Sequence, residues 1–313
     1  MDAFGLPLKP DANADNTHIV RNELQAARFS TVKISELVVV GLLGSGGQGD
    51  VYKAEWIRKF FSSTSSIVVA VKRLHPNLGP LVRDREAVTM MAQHKNLVTC
   101  FDVTHEVPYL IVSEFCAGGS LHSLLYVSSY DLTARQSVTI LHDVASGMNY
   151  LHNQTPPIVH RDMKSSNILL TSCITSPDQE PCAKLSDFGL SRNTDPMPNN
   201  GMTKNVGTWR WMAPEVIDVT GDYDERADIF SFAMVLFEVM QREVPYAEIR
   251  DDDDPRISMH ICILQRRPRI GNLPQHFPAV LPELMKRCWN TDADLRPTAA
   301  ELQMHFASLL ATL

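Results

Sequence analysis

The stretch Gly44-Ser45-Gly46-Gly47-Gln48-Gly49-Asp50-Val51 decides how this chain reads. Glycines there let a backbone come close to phosphate oxygens and adopt torsions that other residues resist. A G-x-G-x-x-G run alone is a weak signal, because it also fits a dinucleotide-binding turn or a Gly-rich linker. A dinucleotide-binding unit would open a helix directly after the glycines and lead into a parallel crossover. Here the next residues are DVYKAEW, a strand-like run. With VVVGLL before the loop and SIVVAVKRL after it, they predict an antiparallel meander.

Further along, a helix-like stretch at Arg83–Gln93 precedes two short apolar runs, LVTCFDV and YLIVSEF. After Gly118-Gly119 the texture turns helical. Ala134–His152 places Val138, Leu141, Val144, Ala145, Met148 and Leu151 at helical spacing, and Ala227–Met240 is apolar nearly all round. The second of these predicts a buried central helix. Residues 1–34, with Pro7, Pro10 and a run of Asp and Asn, read as a partly disordered N-terminal extension. The expected body is α+β: a smaller β-rich part over about 35–117, a larger helical part over about 118–313, and a hinge near Phe115–Gly119. No internal repeat is visible.

A length of 313 residues fits about two such units and a large core. Apolar residues at 44% and charged residues at 21% exclude a mainly disordered chain. The net charge of −7 argues against nucleic acid as a partner, while leaving room for a small phosphate ligand held by local groups. Six scattered cysteines show no zinc-like spacing, and Cys173 and Cys182, though near in sequence, read as reduced thiols. No apolar run reaches the roughly 18–20 residues of a membrane helix. The N-terminus lacks a signal-peptide pattern, and Asp2 stands where myristoylation needs Gly, so the expected compartment is the cytoplasm. Oligomeric state is not legible.

The glycine run is followed by Val69-Ala70-Val71-Lys72, by Glu86, by His160-Arg161-Asp162-Met163-Lys164-Ser165-Ser166-Asn167, by Asp187-Phe188-Gly189 and by Ala213-Pro214-Glu215. In this order and over nearly the whole chain from Leu37 onward, the sequence resembles a eukaryotic protein kinase. HRDMKSSNILL, GTWRWMAPEV, Cys288-Trp289 and Leu295-Arg296-Pro297-Thr298 are similar to the tyrosine-kinase-like group, of the Raf and mixed-lineage kind. The resemblance implies a bilobal protein-kinase domain over 35–313, with ATP, Mg²⁺ (or Mn²⁺) and a protein substrate as its ligands. It implies that Gly44, Ser45, Gly46, Gly47, Gln48 and Gly49 cover the nucleotide, and that Lys72, oriented by Glu86, holds its phosphates. Asp187 and Asn167 would be the metal ligands, hard oxygen donors that suit Mg²⁺. Asp162 would accept the substrate hydroxyl's proton and Lys164 would meet the γ-phosphate. Glu114 and Cys116 would hold adenine at the hinge through backbone groups, Ser113 would be the gatekeeper, and Val51, Ala70 and Leu169 would sandwich the ring. Glu215 would pair with Arg296, and Asp228 would support the catalytic loop.

Lys164, two residues after Asp162, and Thr208 point to Ser/Thr rather than Tyr transfer, with dual specificity left open. A pseudokinase scaffold typically lacks the lysine or one of the two aspartates, and all three are present. Several departures from the pattern stand out. Gln48 replaces the aromatic usual at the loop tip, a change expected to loosen that loop. The spacing from Glu86 to His94 is one residue short, with Asp84 as the fallback partner of Lys72. Phe230 and Ala233 replace the usual Trp and Gly, an expected packing change. The loop TSCITSPDQEPCA is longer than usual and is expected on the surface. Asp251–Asp254 reads as a solvated acidic loop or a docking surface for basic partners. Ser191–Met212 reads as a mobile activation segment in which phosphorylated Thr203 or Thr194 would pair with Arg161.

Overall fold

The β-branched runs either side of the glycines do become strands. The computed structural model of the protein describes residues 32–60, 63–75, 92–104, 107–187, 192–193, 209–218, 223–250, 254–274 and 276–313. The expectations for the extension before residue 32, Asp84, Glu86, Thr194, Thr203, Thr208 and the acids at 251–253 lie outside them. Packing divides the chain into two units, residues up to 93 with 98–116, and residues 94–97 with 117–313.

The first unit is built on a five-stranded antiparallel sheet of β1 (Leu37–Gly46), β2 (Gly49–Phe60), β3 (Ser63–Leu74), β4 (Cys100–Val103) and β5 (Leu110–Glu114), in the order β1-β2-β3-β5-β4. Successive side chains along a strand point to opposite faces. Leu37, Ala54, Trp56, Val69, Val71 and Val112 therefore bury one face together, with Phe101 against Trp56. Leu74, Val103 and Ile111 form a smaller cluster. Each Val, Leu, Ile or Phe among them contributes roughly 1.5–3 kcal/mol when fully buried.

In the second unit, α1 (Leu121–Tyr126) and α2 (Ala134–His152) lead to the short strands β6 (Ile158–Val159), β7 (Ile168–Leu170), β8 (Ala183–Leu185) and β9 (Arg192–Asn193). Then come α3 (Pro214–Ile217), α4 (Arg226–Gln241), α5 (Asp254–Ser258), α6 (Leu281–Cys288) and α7 (Ala299–Leu310). A capping box of Thr133 and Gln136 starts α2, and one of Thr298 and Glu301 starts α7. The six apolar positions read from α2 are all buried. Every residue of α4 from Ala227 to Met240 is buried, as its unbroken apolar pattern requires. α7 lies along α2, where Asn149 donates to Gln303 at 2.8 Å, and Phe306 meets Phe232 of α4 edge-on.

Phe230, in place of the expected Trp, is fully buried between two guanidinium groups, Arg267 at 5.0 Å and Arg296 at 5.2 Å from its ring centre. That arrangement is stabilised by cation–π attraction. The long loop after β7 is largely exposed, as expected, and is tied to α2. Gln136 donates to the carbonyls of Ser176 and Gln179, both at 2.9 Å, while Ile174 is buried.

Gly118 sits against that loop so closely that an added Cβ would lie 2.3 Å from the carbonyl oxygen of Ser172. Gly41 in β1 has open space at the same position. Gly118→Ala is therefore expected to lower stability by about 2 kcal/mol or more through overpacking. Gly41→Ala should leave the melting temperature nearly unchanged, and thermal denaturation of the two variants checks the contrast.

Candidate active site

In the first unit, the pair Gly46–Gly49 closes the β1–β2 hairpin around Gly47 and Gln48. Gly49 must be glycine, because a Cβ there would stand 2.0 Å from the Arg73 carbonyl oxygen. Val51 pairs with Lys72, and Ala70 pairs with Ser113. Strand alternation then sets Val51, Ala70, Lys72 and Ser113 on one face, opposite the Val69–Val71 core face. Lys72 Nζ donates to Gln48 Oε1 at 2.7 Å. Glu114 ends β5, its amide donating to the Thr99 carbonyl at 2.9 Å while its carboxylate accepts from the Thr99 amide at 2.6 Å. Cys116, just beyond, is buried.

In the second unit the catalytic-loop candidates are organised by Asp228 on the first turn of α4. Its fully buried carboxylate accepts from the backbone amides of His160 at 2.8 Å and Arg161 at 2.9 Å. His152 Nε2 lies 2.9 Å from the same group. Burial alone would raise the Asp228 pKa, but His152, His160 and the Arg161 amide outweigh it and hold the carboxyl below the usual aspartate range. Arg161 takes a left-handed conformation, φ 68°, with its guanidinium 4.8 Å over the Tyr223 ring. Such a backbone is costly for a residue with a Cβ and persists only where its surroundings over-determine it.

That bend delivers Asp162, which is 5% exposed. Its Oδ2 pairs with Lys164 Nζ at 3.0 Å and accepts from Asn167 Nδ2 at 2.8 Å. Asn167 Nδ2 also reaches the Asp162 carbonyl at 2.7 Å. Asp162 Oδ1 is buried and has no hydrogen-bond partner among the described residues. Buried acceptors left unsatisfied in this way are uncommon, and this one is open to an incoming donor.

The β7–β8 pairing, Ile168 opposite Leu185, brings Asn167 and Asp187 to the same end of one hairpin. Ser186 donates to the Asn167 carbonyl from its amide at 2.9 Å and from its hydroxyl at 3.0 Å. His160 Nε2 reaches the Ser186 carbonyl at 3.0 Å. Asp187 has φ 61°, a second strained backbone at the same place. Leu169, between the two, is half-buried and pairs with Lys184. Asn167 donates through its amide nitrogen, so its harder oxygen is the atom suited to a cation. Among the described residues no group of three or more His, Cys, Asp or Glu could hold a metal. One carboxylate with one amide oxygen fits a Mg²⁺-like ion that takes its remaining ligands from phosphate and water.

Three polar residues escaped the sequence reading. Glu238, fully buried on α4, accepts from Trp211 Nε1 at 2.8 Å, Tyr126 OH at 3.1 Å and the Ser165 hydroxyl. It thereby joins the catalytic loop to the WRW segment and α1. Arg210, also buried, donates to the carbonyls of Pro245, Tyr246 and Ile249. His152, the last residue of α2, has no sequence signal that ties it to Asp228. One signal was available for Glu238, an acid far inside an apolar helix, which must be paired to be tolerated. The expected pairing of Glu215 with Arg296 is present and bidentate, at 2.5 and 2.9 Å.

A glycine hairpin backed by a strand lysine, and a buried aspartate flanked by Lys and Asn, define the bilobal protein-kinase fold. A family model described as protein tyrosine and serine/threonine kinase matches residues 37–306, and the chain belongs to that family. It is 32% identical over 290 residues to the serine/threonine-protein kinase TNNI3K of Homo sapiens, covering 90% of this chain and 32% of that protein. It is 32% identical over 280 residues to the serine/threonine-protein kinase STY17 of Arabidopsis thaliana, covering 87% and 44%. The serine/threonine-protein kinase VIK of the same plant is 32% identical over 285 residues, covering 87% and 60%. The chain thus spans about a third to somewhat over half the length of these relatives. Family membership implies ATP, a divalent metal ion and protein substrates. No helix among the described residues is long and apolar enough to cross a membrane.

Burial pushes the Glu238 pKa from 4.5 up to about 7, against hydrogen bonds from Ser165, Trp211 and Tyr126 that favour the ionised form. Between those values the folded chain binds this proton more tightly than the unfolded chain, so stability falls as pH rises through the window. Denaturant titrations of the wild type and Glu238→Gln from pH 4.5 to 7.5 should show the wild type losing stability relative to the variant. A difference independent of pH would contradict the assignment.

Proposed function

We propose that this chain transfers the γ-phosphoryl group of ATP to serine and threonine hydroxyls of protein substrates, with Mg²⁺ or Mn²⁺ as the metal. The observation that carries the reading is the asymmetry of Asp162, whose Oδ2 is fixed by Lys164 and Asn167 while its buried Oδ1 has no partner among the described residues. An incoming hydroxyl donates to Oδ1, which orients it and accepts its proton as the hydroxyl oxygen bonds to the γ-phosphorus and the bond from that phosphorus to the β–γ bridging oxygen breaks, releasing ADP. Catalysis of this kind is mostly positioning and charge stabilisation. Lys72 holds the α- and β-phosphates, with Glu86 as its ion-pair partner, under the backbone of Gly44, Ser45, Gly46, Gly47, Gln48 and Gly49. Backbone groups of Glu114 and Cys116 receive adenine beside Ser113, and Val51, Ala70 and Leu169 pack on the ring. Asn167 and Asp187 hold the metal, which when bound neutralises developing phosphate charge. Lys164 serves the γ-phosphate while paired with Asp162.

Serine/threonine preference is supported by Lys164 and by the names of the three relatives. Residues 35–313 form the kinase domain, preceded by the extension 1–34. All six cysteines are free thiols, which supports a reducing compartment such as the cytoplasm.

Lys72→Met, Asp162→Asn and Asp187→Asn should each reduce phosphate transfer from radiolabelled ATP by roughly a thousandfold while preserving the melting transition. Phosphoamino-acid analysis of a peptide-library reaction should yield phosphoserine and phosphothreonine. Undiminished transfer by a folded Asp187→Asn protein, or predominantly phosphotyrosine, would overturn the corresponding part.

A further inference from the structure

Gln48 stands at the tip of the glycine hairpin, and three contacts run from that tip to the end of β3. Its side-chain oxygen accepts from Lys72 Nζ at 2.7 Å. Its carbonyl accepts from the His75 amide at 3.0 Å, and His75 Nε2 lies 3.0 Å from the Gly46 carbonyl. Far from leaving the tip with one contact fewer, the exchange of an aromatic for Gln48 adds a bond to the strand lysine. We propose that Gln48 is a positioning residue, one that aims the Lys72 ammonium and holds the loop tip down on β3. The proposal rests on Lys72 being the phosphate-holding lysine.

The residue type matters. A lysine ammonium has three donors on a long, rotamer-rich stem, so its direction must be imposed from outside. An amide oxygen imposes direction while leaving the positive charge whole and the other donors for further partners. Gln48 is one of the contacts of Lys72. A phenylalanine at the same place offers no acceptor. A glutamate would reach equally far but would cancel the charge that phosphate needs and would repel phosphate itself. The register explains why the contact forms. Gly49 pairs with Leu74 and Val51 with Lys72, so the turn residue just before β2 hangs over the final residues of β3. Gln48 is half-buried there, which lowers the freedom of its side chain.

Two variants separate this role from a packing role. Gln48→Met keeps length and apolar stem without the acceptor, and Gln48→Glu keeps the acceptor and adds charge. Calorimetric binding of Mg-ATP should weaken roughly 3- to 10-fold in Gln48→Met, the usual net size for losing one typical hydrogen bond. It should weaken further in Gln48→Glu, by an amount that shrinks as salt rises. In both, KM for ATP should move while KM for peptide stays unchanged. Independently of any nucleotide, amine acylation of Lys72, followed by mass spectrometry, should speed up in Gln48→Met, because loss of the acceptor lowers the ammonium pKa. It should slow down in Gln48→Glu. Lys72 reactivity and ATP affinity equal to wild type in both variants, with cooperative melting retained, would overturn the proposal. Shifted Lys72 reactivity in the two variants, with wild-type protein that transfers no phosphate, would support the contact and overturn the proposed phosphate-transfer reading instead.

Discussion

One buried carboxylate, Asp228, sets the geometry on which the larger unit's chemistry depends. A charge taken out of water is tolerated only when it is fully hydrogen-bonded. Asp228 meets that condition by gathering the amides of His160 and Arg161 and the ring of His152. In doing so it fixes the chain just before Asp162, including the left-handed Arg161 that free solution would relax. The carboxylate is rigid because α4 is rigid, and α4 is rigid because it is apolar and enclosed along its length. A hydrophobic helix thereby places a hydrogen-bonding pattern into the loop that carries Asp162.

The same helix holds the loop a second time through Glu238. Asp228 grips the backbone before Asp162, and Glu238 grips Ser165 just after Lys164. Between these two points lie the aspartate and lysine whose pairing engages Asp162 Oδ2, while the buried Oδ1 has no hydrogen-bond partner among the described residues. Glu238 also accepts from Trp211, and Ser231 of α4 donates to the Trp211 carbonyl at 2.7 Å. The WRW segment and the catalytic loop are thus referenced to one element. Arg296, bidentate with Glu215, and Arg210, on three carbonyls, complete a set of buried ions that are all compensated. Networks of this kind bring specificity of arrangement more than net stability.

Local signals made much of this legible. Strand alternation around the glycine run, the all-round apolar pattern of α4 and the spacing of α2 each lie within one segment, and each is where the residues said it would be. The order of short motifs pointed to Asp162, Asn167 and Asp187, and the β7–β8 hairpin does bring the last two together. What stayed hidden was pairing across distance. Nothing near Glu238 announces Ser165 or Trp211, and Arg210 sits in a motif that drew attention to Thr208 instead. In sequence Gln48 stands out only as a missing aromatic, because its amide meets Lys72 only once β2 and β3 are in register. The anchoring of the loop after β7 through Gln136 was invisible for the same reason, since Gln136 looks like an ordinary helix-start residue.

The measurement that bears most directly on this picture is the turnover of Asp228→Asn, taken with its melting curve and its affinity for Mg-ATP. Asparagine keeps the size of the side chain but can no longer accept from both amides and His152 as a carboxylate does. If Asp228 positions the catalytic loop, kcat falls roughly a hundredfold or more, as small misplacements of reacting groups do. Melting stays cooperative and ATP affinity changes far less. Full turnover by a folded Asp228→Asn protein would contradict the central role given to this carboxylate.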